Sequence, residues 1–456
     1  MSSKLSLAED FSAVSEEQWM ASVEKALKGA DPEKVLYNKS HNNFSYKARY
    51  AAGDAGPEGA IASHDNAWDI RQRVMTDDAA KANKQILTNL EGGATSVILG
   101  GHIRGATSLS STWLDRALEG VYLNMMSLAL SGGAAYVETS TLLMDYLNDH
   151  DSNNADMSIH LMADPLSVLA KTGNLPYDQG NLEASLHYVA KLADGFEGNA
   201  TAFQVTTMPY HSAGASEAQE IAMALASGLF YLKAMEKAGI SLEKAASLMA
   251  FTVSANAHFV LNIAKFRAMR LLWSKVLKHC GVAENSMQIG AETSEQMMTS
   301  RDPWVNILRT TMAGFSAAVA GADALTITPY TMALGGSSEG ADRIARNIHI
   351  LLQEEASLGK VSDPAAGAHT LESVTNDLAK EAWALFQDIE AKGGALDVLL
   401  SGTFHDDVAA VWAKKQRDIA IRKMPITGVS EFANVSETLP DVEQFDLAIM
   451  SPSFFR

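Results

Sequence analysis

One cysteine, Cys280, stands in a chain of 456 residues. That excludes an intrachain disulfide and any zinc site built from cysteines. Cys280 follows WSKVLKH on a helical pattern, which reads as a structural thiol rather than a nucleophile. Positive charge is also scarce. Lys and Arg number 36 against 54 Asp and Glu, for a net charge of −18 and a pI near 5.1. Such a surface disfavours nucleic acid and anionic membranes as partners, although a local basic cleft can still hold a small anion. No charge-free run is long enough to cross a bilayer. The first residues, MSSKLSLAEDFSAVSEEQW, lack the apolar stretch of a signal peptide, so a cytoplasmic protein is expected. Walker, His-Glu-x-x-His and Gly-x-Ser-x-Gly motifs are absent.

What is present is a globular composition, 47% hydrophobic and 20% charged. The length suits one large domain with extensions, or two domains. Residues 1–60 read as an extension. SEEQWMASVEKALKG starts at Ser15 and stops at Gly29, the pattern of one capped helix, with Trp19, Val23, Ala26 and Leu27 at near-helical spacing. YAAGDAGPEGAIAS reads as a linker. Residues 61–440 are the main domain, and 441–456 form a tail too short for another.

Within the main domain, β-type runs alternate with helical patterns. The runs are SVILG (96–100), AYVET (135–139), SIHLM (158–162), FQVTT (203–207), LMAFTVS (248–254), SMQIGAE (286–292), ALTITP (324–329) and KVSDP (360–364). Most are apolar or mixed, as strands covered on both faces should be. Helical stripes follow, among them Ile344, Ile348 and Leu351, and the series Leu371, Val374, Leu378, Ala382, Leu385 and Ile389. Eight such units predict a (β/α)8 barrel, with a doubly wound sheet as the competitor.

Four stretches could carry chemistry. ILGGHIRGATS (98–108) offers glycines, His102 and Arg104 for an anion, or is an ordinary strand-to-helix loop. AKFRAMRLLW (264–273) carries Lys265, Arg267 and Arg270 beyond the fifth run; arginine suits carboxylate and phosphate, and a salt-bridged helix face is the alternative. AWDIRQRVM (67–75) carries Trp68, Arg71, Gln72 and Arg73 ahead of the first run. VTTMPYHSAGASEAQE (205–220) places Tyr210 and His211 where a β-run ends and a helix begins. These two are the catalytic candidates, with buried structural roles as the alternative. The twenty methionines read as gap-filling core.

WDIRQ (68–72), AKFRAMRLLWSKVL (264–277), TSRDPWVNILRTTMAGFSAAVAGADALTITPY (299–330), RIARNIHILLQEEASLGKVSDPAAGAHTLESVTNDLAKEAWALFQDIEAKGG (343–394) and PITGVSEFANVSE (425–437) together resemble the methylmalonyl-CoA mutase family. The resemblance covers most of residues 10–440. It implies a (β/α)8 substrate barrel and chemistry through adenosylcobalamin, whose cobalt–carbon bond yields a radical while the protein orients the acyl-CoA and excludes water. It makes Arg71, Gln72 and Arg267 the substrate-binding candidates.

The chain departs from the catalytic pattern in three places. None of its twelve histidines follows the Asp-x-His-x-x-Gly pattern that ligates cobalt, and little chain follows residue 437. Where catalytic chains read Thr-Ile-Arg-Gln-Tyr-Ala-Gly, this one reads Asp69 to Met75, with Arg73 at the tyrosine position. Catalytic chains place three residues between Tyr-His and Ala-Gly-Ala. Here only Ser212 intervenes, so an ungapped match sets Met208–Pro209 at the Tyr-His positions. These departures resemble the small subunit of the two-subunit bacterial enzymes, a homologue that has lost the site and supports a catalytic large subunit in a heterodimer. On that expectation the chain binds no cofactor itself, while adenosylcobalamin serves the complex. One alternative is a catalytic barrel subunit of a split acyl-CoA mutase with a separate cobalamin-binding protein. Another is an acyl-CoA-binding barrel with no mutase partner.

Overall fold

The computed structural model describes residues 12, 14–50, 67–100, 109–150, 154–282 and 287–444. Eight short strands pair edge to edge, all parallel, and close on themselves. They are β1 (Asp69–Arg73), β2 (Ser96–Gly100), β3 (Ser127–Ser131), β4 (Ser158–Ala163), β5 (Asn199–Thr206), β6 (Met249–Ala255), β7 (Gln288–Thr293) and β8 (Ala324–Thr326). The ring closes where Ala324 of β8 pairs with Asp69 of β1 and, on its other edge, with Gly290 of β7. Parallel neighbours need long crossovers, and the helices between the strands supply them. The expected (β/α)8 barrel is therefore the fold.

Two of the eight expected runs are corrected. AYVET (135–139) is helical: it opens the helix Tyr136–His150. Tyr136, Ser140, Leu143 and Leu147 form a buried stripe at helical spacing, which overrides the β-branched residues nearby. The strand lies one element earlier, in SLALS. KVSDP (360–364) forms no strand either; Val361 is exposed and Asp363 has φ +40°. The missing strand is DIRQR, read from sequence as lying ahead of the barrel. Its alternate charged positions face the barrel interior and mask the apolar signal. The AKFRAMR helix accordingly follows the sixth strand, not the fifth.

The elements that position the site are α1 (Glu16–Leu27), α2 (Met208–Ser212), α3 (Glu217–Lys237), α4 (Phe259–His279), α5 (Val305–Val319), α6 (Glu339–Ile350), α7 (His369–Ala391) and α8 (Thr403–Ala420). Helix α1 begins with the expected cap: Ser15 accepts from Gln18 N while the Gln18 side chain accepts from Ser15 N. It buries none of its own residues. Trp19 instead sits under the Arg49 guanidinium, 4.9 Å from the ring centre. A hairpin of Tyr37–Lys39 with Ser45–Lys47 follows. Its tip is pinned to the barrel layer by Asn42, whose amide donates to Glu217 (2.8 Å) and accepts from Ala218 N (2.9 Å) at the start of α3. At the far end of the described chain, Glu443–Gln444 pair antiparallel with Gly336–Ser337. Among the described residues no helix is long and apolar enough to cross a membrane.

Candidate active site: the mouth of the barrel

Strand residues alternate between barrel interior and helix layer. On β1, Gln72 meets α6, donating to Asp342 O (3.4 Å) and accepting from Arg346 (3.3 Å). Trp68, just ahead of the strand, donates to His349 of α6 (3.1 Å). Asp69, Arg71 and Arg73 occupy the alternate positions and face the lumen. Arg71 donates through Nε to Ser96 Oγ (2.8 Å) and lies 3.6 Å from the Asp69 carboxylate. Burial lowers its pKa. Nearby His160 of β4 bonds through Nδ1 to Thr201 Oγ1 (2.7 Å); burial and then the Arg71 charge push it down to about 3, so its imidazole is neutral at pH 7. (β/α)8 barrels ordinarily fill this space with branched apolar side chains. Here Arg71, His160, Gln204, Thr252 and Glu292 are only half-buried, so the lumen is polar.

At the C-terminal ends of the strands, Arg73 makes a forked contact with Glu292 of β7, at 3.1 and 3.0 Å. Both bonds come from one nitrogen, Nη2, which spans the two carboxylate oxygens. Glu295 follows in the next turn. Burial, then the Glu292 charge, pushes its carboxyl up to about 7, with Arg73 and Lys171 pulling the other way. A cavity of about 30 Å³ remains, lined by Arg73, Glu292, Glu295, Thr326, Thr328 and Asp342 among others. That volume holds about one or two water molecules.

Tyr210 and His211 lie on α2, just past the end of β5, and their side chains part company. Tyr210 is buried edge-on to Phe404 of α8, with ring centres 5.4 Å apart. Burial and then Asp164 raise its phenol pKa. His211 is buried in a polar cluster. Its Nδ1 lies 2.8 Å from Glu220 Oε1 and its Nε2 2.6 Å from Ser294 Oγ. The other Glu220 oxygen accepts from Ser254 Oγ (2.6 Å) and Lys265 Nζ (3.1 Å), and Lys265 also donates to Ser254 (2.7 Å). Burial alone would raise the Glu220 carboxyl, but Lys265 and then His211 outweigh it and hold it below the usual range. Serine, histidine and glutamate in this order resemble a nucleophile relay. Ser294, His211, Glu220 and Lys265 are all at most 3% exposed, however, and Lys265 shares the glutamate. The cluster is sealed from solvent and ties α2, α3, α4, β6 and the end of β7 together. Gly214 completes the turn: at φ +103° it lies against Trp412 with no room for a Cβ.

Arg71 and Arg73 thus share one lumen, whereas Gln72 faces the helix layer and Arg267 sits outside the barrel. Arg267 of α4 bridges Asp363 and, at 2.7 Å, Glu372 of α7. Arg270 donates to Met287 O (2.6 Å) and Gly321 O. The basic residues of AKFRAMR are therefore buried and partnered. His102 and Arg104 lie outside the described residues. Among those described, no group of three or more His, Cys, Asp or Glu is placed to hold a metal ion. Sequence reasoning missed His160, Glu292 and Glu295. The signal was a lone polar residue at an alternate position of an apolar run, as in SIHLM and QIGAET.

The profile of the methylmalonyl-CoA mutase family matches residues 102–453. The chain is 38% identical to the methylmalonyl-CoA mutase small subunit of Streptomyces virginiae, over 95% of this chain and 73% of that one. It is 32% identical to the small subunit of Propionibacterium freudenreichii subsp. shermanii, over 97% and 72%. With the methylmalonyl-CoA mutase of Escherichia coli (strain K12) it shares 31% identity over 58% of this chain and 38% of that protein. With its closed parallel barrel and these relatives, the chain belongs to the methylmalonyl-CoA mutase family.

Proposed function

We propose that this chain is a non-catalytic small subunit of an adenosylcobalamin-dependent methylmalonyl-CoA mutase, an isomerase interconverting methylmalonyl-CoA and succinyl-CoA. It supports a homologous catalytic large subunit in a heterodimer. The observation that carries the reading is the Arg73–Glu292 pair. The resemblance sets a tyrosine at residue 73; an arginine locked to a carboxylate 3.0 Å away cannot take its part against a cofactor or migrating group. His211 adds support, because a proton-transfer group must reach its substrate, and this imidazole is bonded at both nitrogens and only 3% exposed. Among the described residues the mouth does not fit adenosylcobalamin, because the Arg73–Glu292 ion pair occupies it. The cofactor is therefore assigned to the complex through the large subunit. Acyl-CoA remains a candidate ligand of the polar lumen, with Arg71 as the group facing it. Residues 1–60 act as the subunit-contact arm, since α1 leaves Trp19, Val23 and Leu27 no more than half-buried.

Spectral titration of the purified chain with adenosylcobalamin, together with a turnover assay with and without the large subunit, tests this. No spectral change and no turnover alone are expected, with a stable heterodimer on mixing. Turnover on adding only a separate cobalamin-binding protein would instead establish a split mutase.

A further inference from the structure

Of the described residues in the N-terminal arm, 12 and 14–50, Asn42 is the only buried one, at 1% exposure. An arm seated by apolar packing would bury a leucine or phenylalanine there instead. The hairpin tip around Asn42 meets the helix layer at several points. His41 reaches Asp418 of α8 (3.2 Å), Asn43 donates to Glu381 of α7 (2.8 Å), and Tyr46 meets His258, the residue ahead of α4 (3.4 Å). Those contacts are exposed or half-buried. Asn42 alone goes inside. Its amide nitrogen donates to Glu217 (2.8 Å) and its oxygen accepts from Ala218 N (2.9 Å), both in the first turn of α3.

The same turn is held from within the barrel. Glu220 lies three residues after Glu217, on the same face of α3. It contacts His211 Nδ1 (2.8 Å), and it accepts from Ser254 (2.6 Å) and Lys265 (3.1 Å). His211 Nε2 reaches Ser294 Oγ (2.6 Å). Ser294 stands between Glu292, which pairs with Arg73, and Glu295, which lines the cavity at the mouth. Every side chain on this route from Asn42 to Ser294 is at most 7% exposed.

Buried hydrogen bonds to charged groups are directional, and losing one leaves a charge unpaired in the interior. Apolar contacts slide; these do not. The first turn of α3 therefore has discrete settings rather than a range, one with the hairpin tip seated and the route intact, another with the tip released.

We propose that Asn42 is a positioning residue that links the N-terminal arm to the barrel mouth. Seating the hairpin tip fixes the first turn of α3, and Glu220, His211 and Ser294 pass that setting to the end of β7, where Glu292 and Glu295 stand. The link belongs to this chain by itself. With the arm as the subunit contact, which rests on the small-subunit reading above, a large subunit that engages the arm is registered at the mouth.

Hydrogen exchange read by mass spectrometry on the full chain tests the link from both ends. Asn42→Leu is expected to speed exchange in residues 293–298 at least about tenfold, while β3, on the opposite side of the ring, stays within about twofold. Ser294→Ala is expected to speed exchange in the hairpin, residues 37–47, at least about fivefold, because coupling between two sites is reciprocal. Glu381→Ala removes an exposed contact of the same hairpin and should leave 293–298 unchanged. Asn42→Asp sets two carboxylates against each other and should speed exchange at 293–298; adding Glu217→Gln reverses donor and acceptor and should slow it again. If Asn42→Leu leaves 293–298 unchanged, or speeds β3 equally, the hairpin only packs and the proposal is wrong. An unaffected hairpin in Ser294→Ala overturns it too. Adding the large subunit should slow exchange at 293–298 in the wild type and not in Asn42→Leu; equal slowing in both would show that the arm does not carry the signal. Failure of the large subunit to bind would overturn the small-subunit reading, while the single-chain variants still decide the link.

Discussion

Two charged clusters come close in sequence only where Ser294, the partner of His211, follows Glu292 by two residues, and they differ in what surrounds them. The Arg73–Glu292 pair stands at the barrel mouth with each side chain 16–17% exposed. The His211–Glu220–Lys265 cluster, which reaches Ser254 of β6 and Ser294 just past β7, is at most 3% exposed. An ion pair that water can reach contributes little, because solvation and pairing nearly balance. A sealed one is different. Removing one partner leaves an uncompensated charge in a low-dielectric interior. In this structure the histidine is enclosed by its ion-pair partners, and the arginine occupies the mouth.

The largest effect expected from breaking that contrast is at Glu220. Glu220→Gln strands Lys265 and should cost about 3–5 kcal/mol in chemical denaturation. Adding Lys265→Met should recover much of the loss; strict additivity of the two single costs would show that the pair is not coupled. Next comes His211→Phe, which removes the contacts to Ser294 and Glu220, for a loss of about 2 kcal/mol. A cost near zero would place the imidazole elsewhere. At the mouth, Arg73→Met should cost only about 1 kcal/mol. It should also raise the Glu295 carboxyl further, since Arg73 opposes its upward shift; carboxyl resonances followed through a pH titration report this.

A further effect is pH-dependent. Glu295 holds its proton more tightly folded, with a pKa of about 7, than unfolded, near 4.5. Its contribution is therefore full below about pH 4.5 and is lost as pH rises through about 7. Glu295→Gln should flatten that part of the stability curve. A wild-type curve already flat between these values would contradict the raised Glu295 pKa.

The barrel was legible because six of its strands are apolar runs bounded by turns. The two misread elements show where pattern reading stops. DIRQR hid its strand because this lumen admits charge, so three of its five residues, Asp69, Arg71 and Arg73, broke the apolar expectation. AYVET looked extended until its stripe was continued through Leu143 and Leu147. At the site, the motif comparison singled out Arg73 and the Tyr210–His211 pair. It could not supply their partners: Glu292 lies 219 residues from Arg73 and Ser294 lies 83 from His211. Only closure of the ring brings such groups together. Nor could spacing alone show that adjacent Tyr210 and His211 have different neighbours, because one turn of α2 sends their side chains apart.

Turnover of the reconstituted heterodimer tests the central claim most directly, with the large subunit unchanged and Arg73→Met introduced here. A supporting barrel predicts kcat and kcat/KM within about twofold of the wild-type complex. A loss of tenfold or more at equal complex stability, or turnover by the isolated chain with adenosylcobalamin, would show that this barrel takes part in the chemistry.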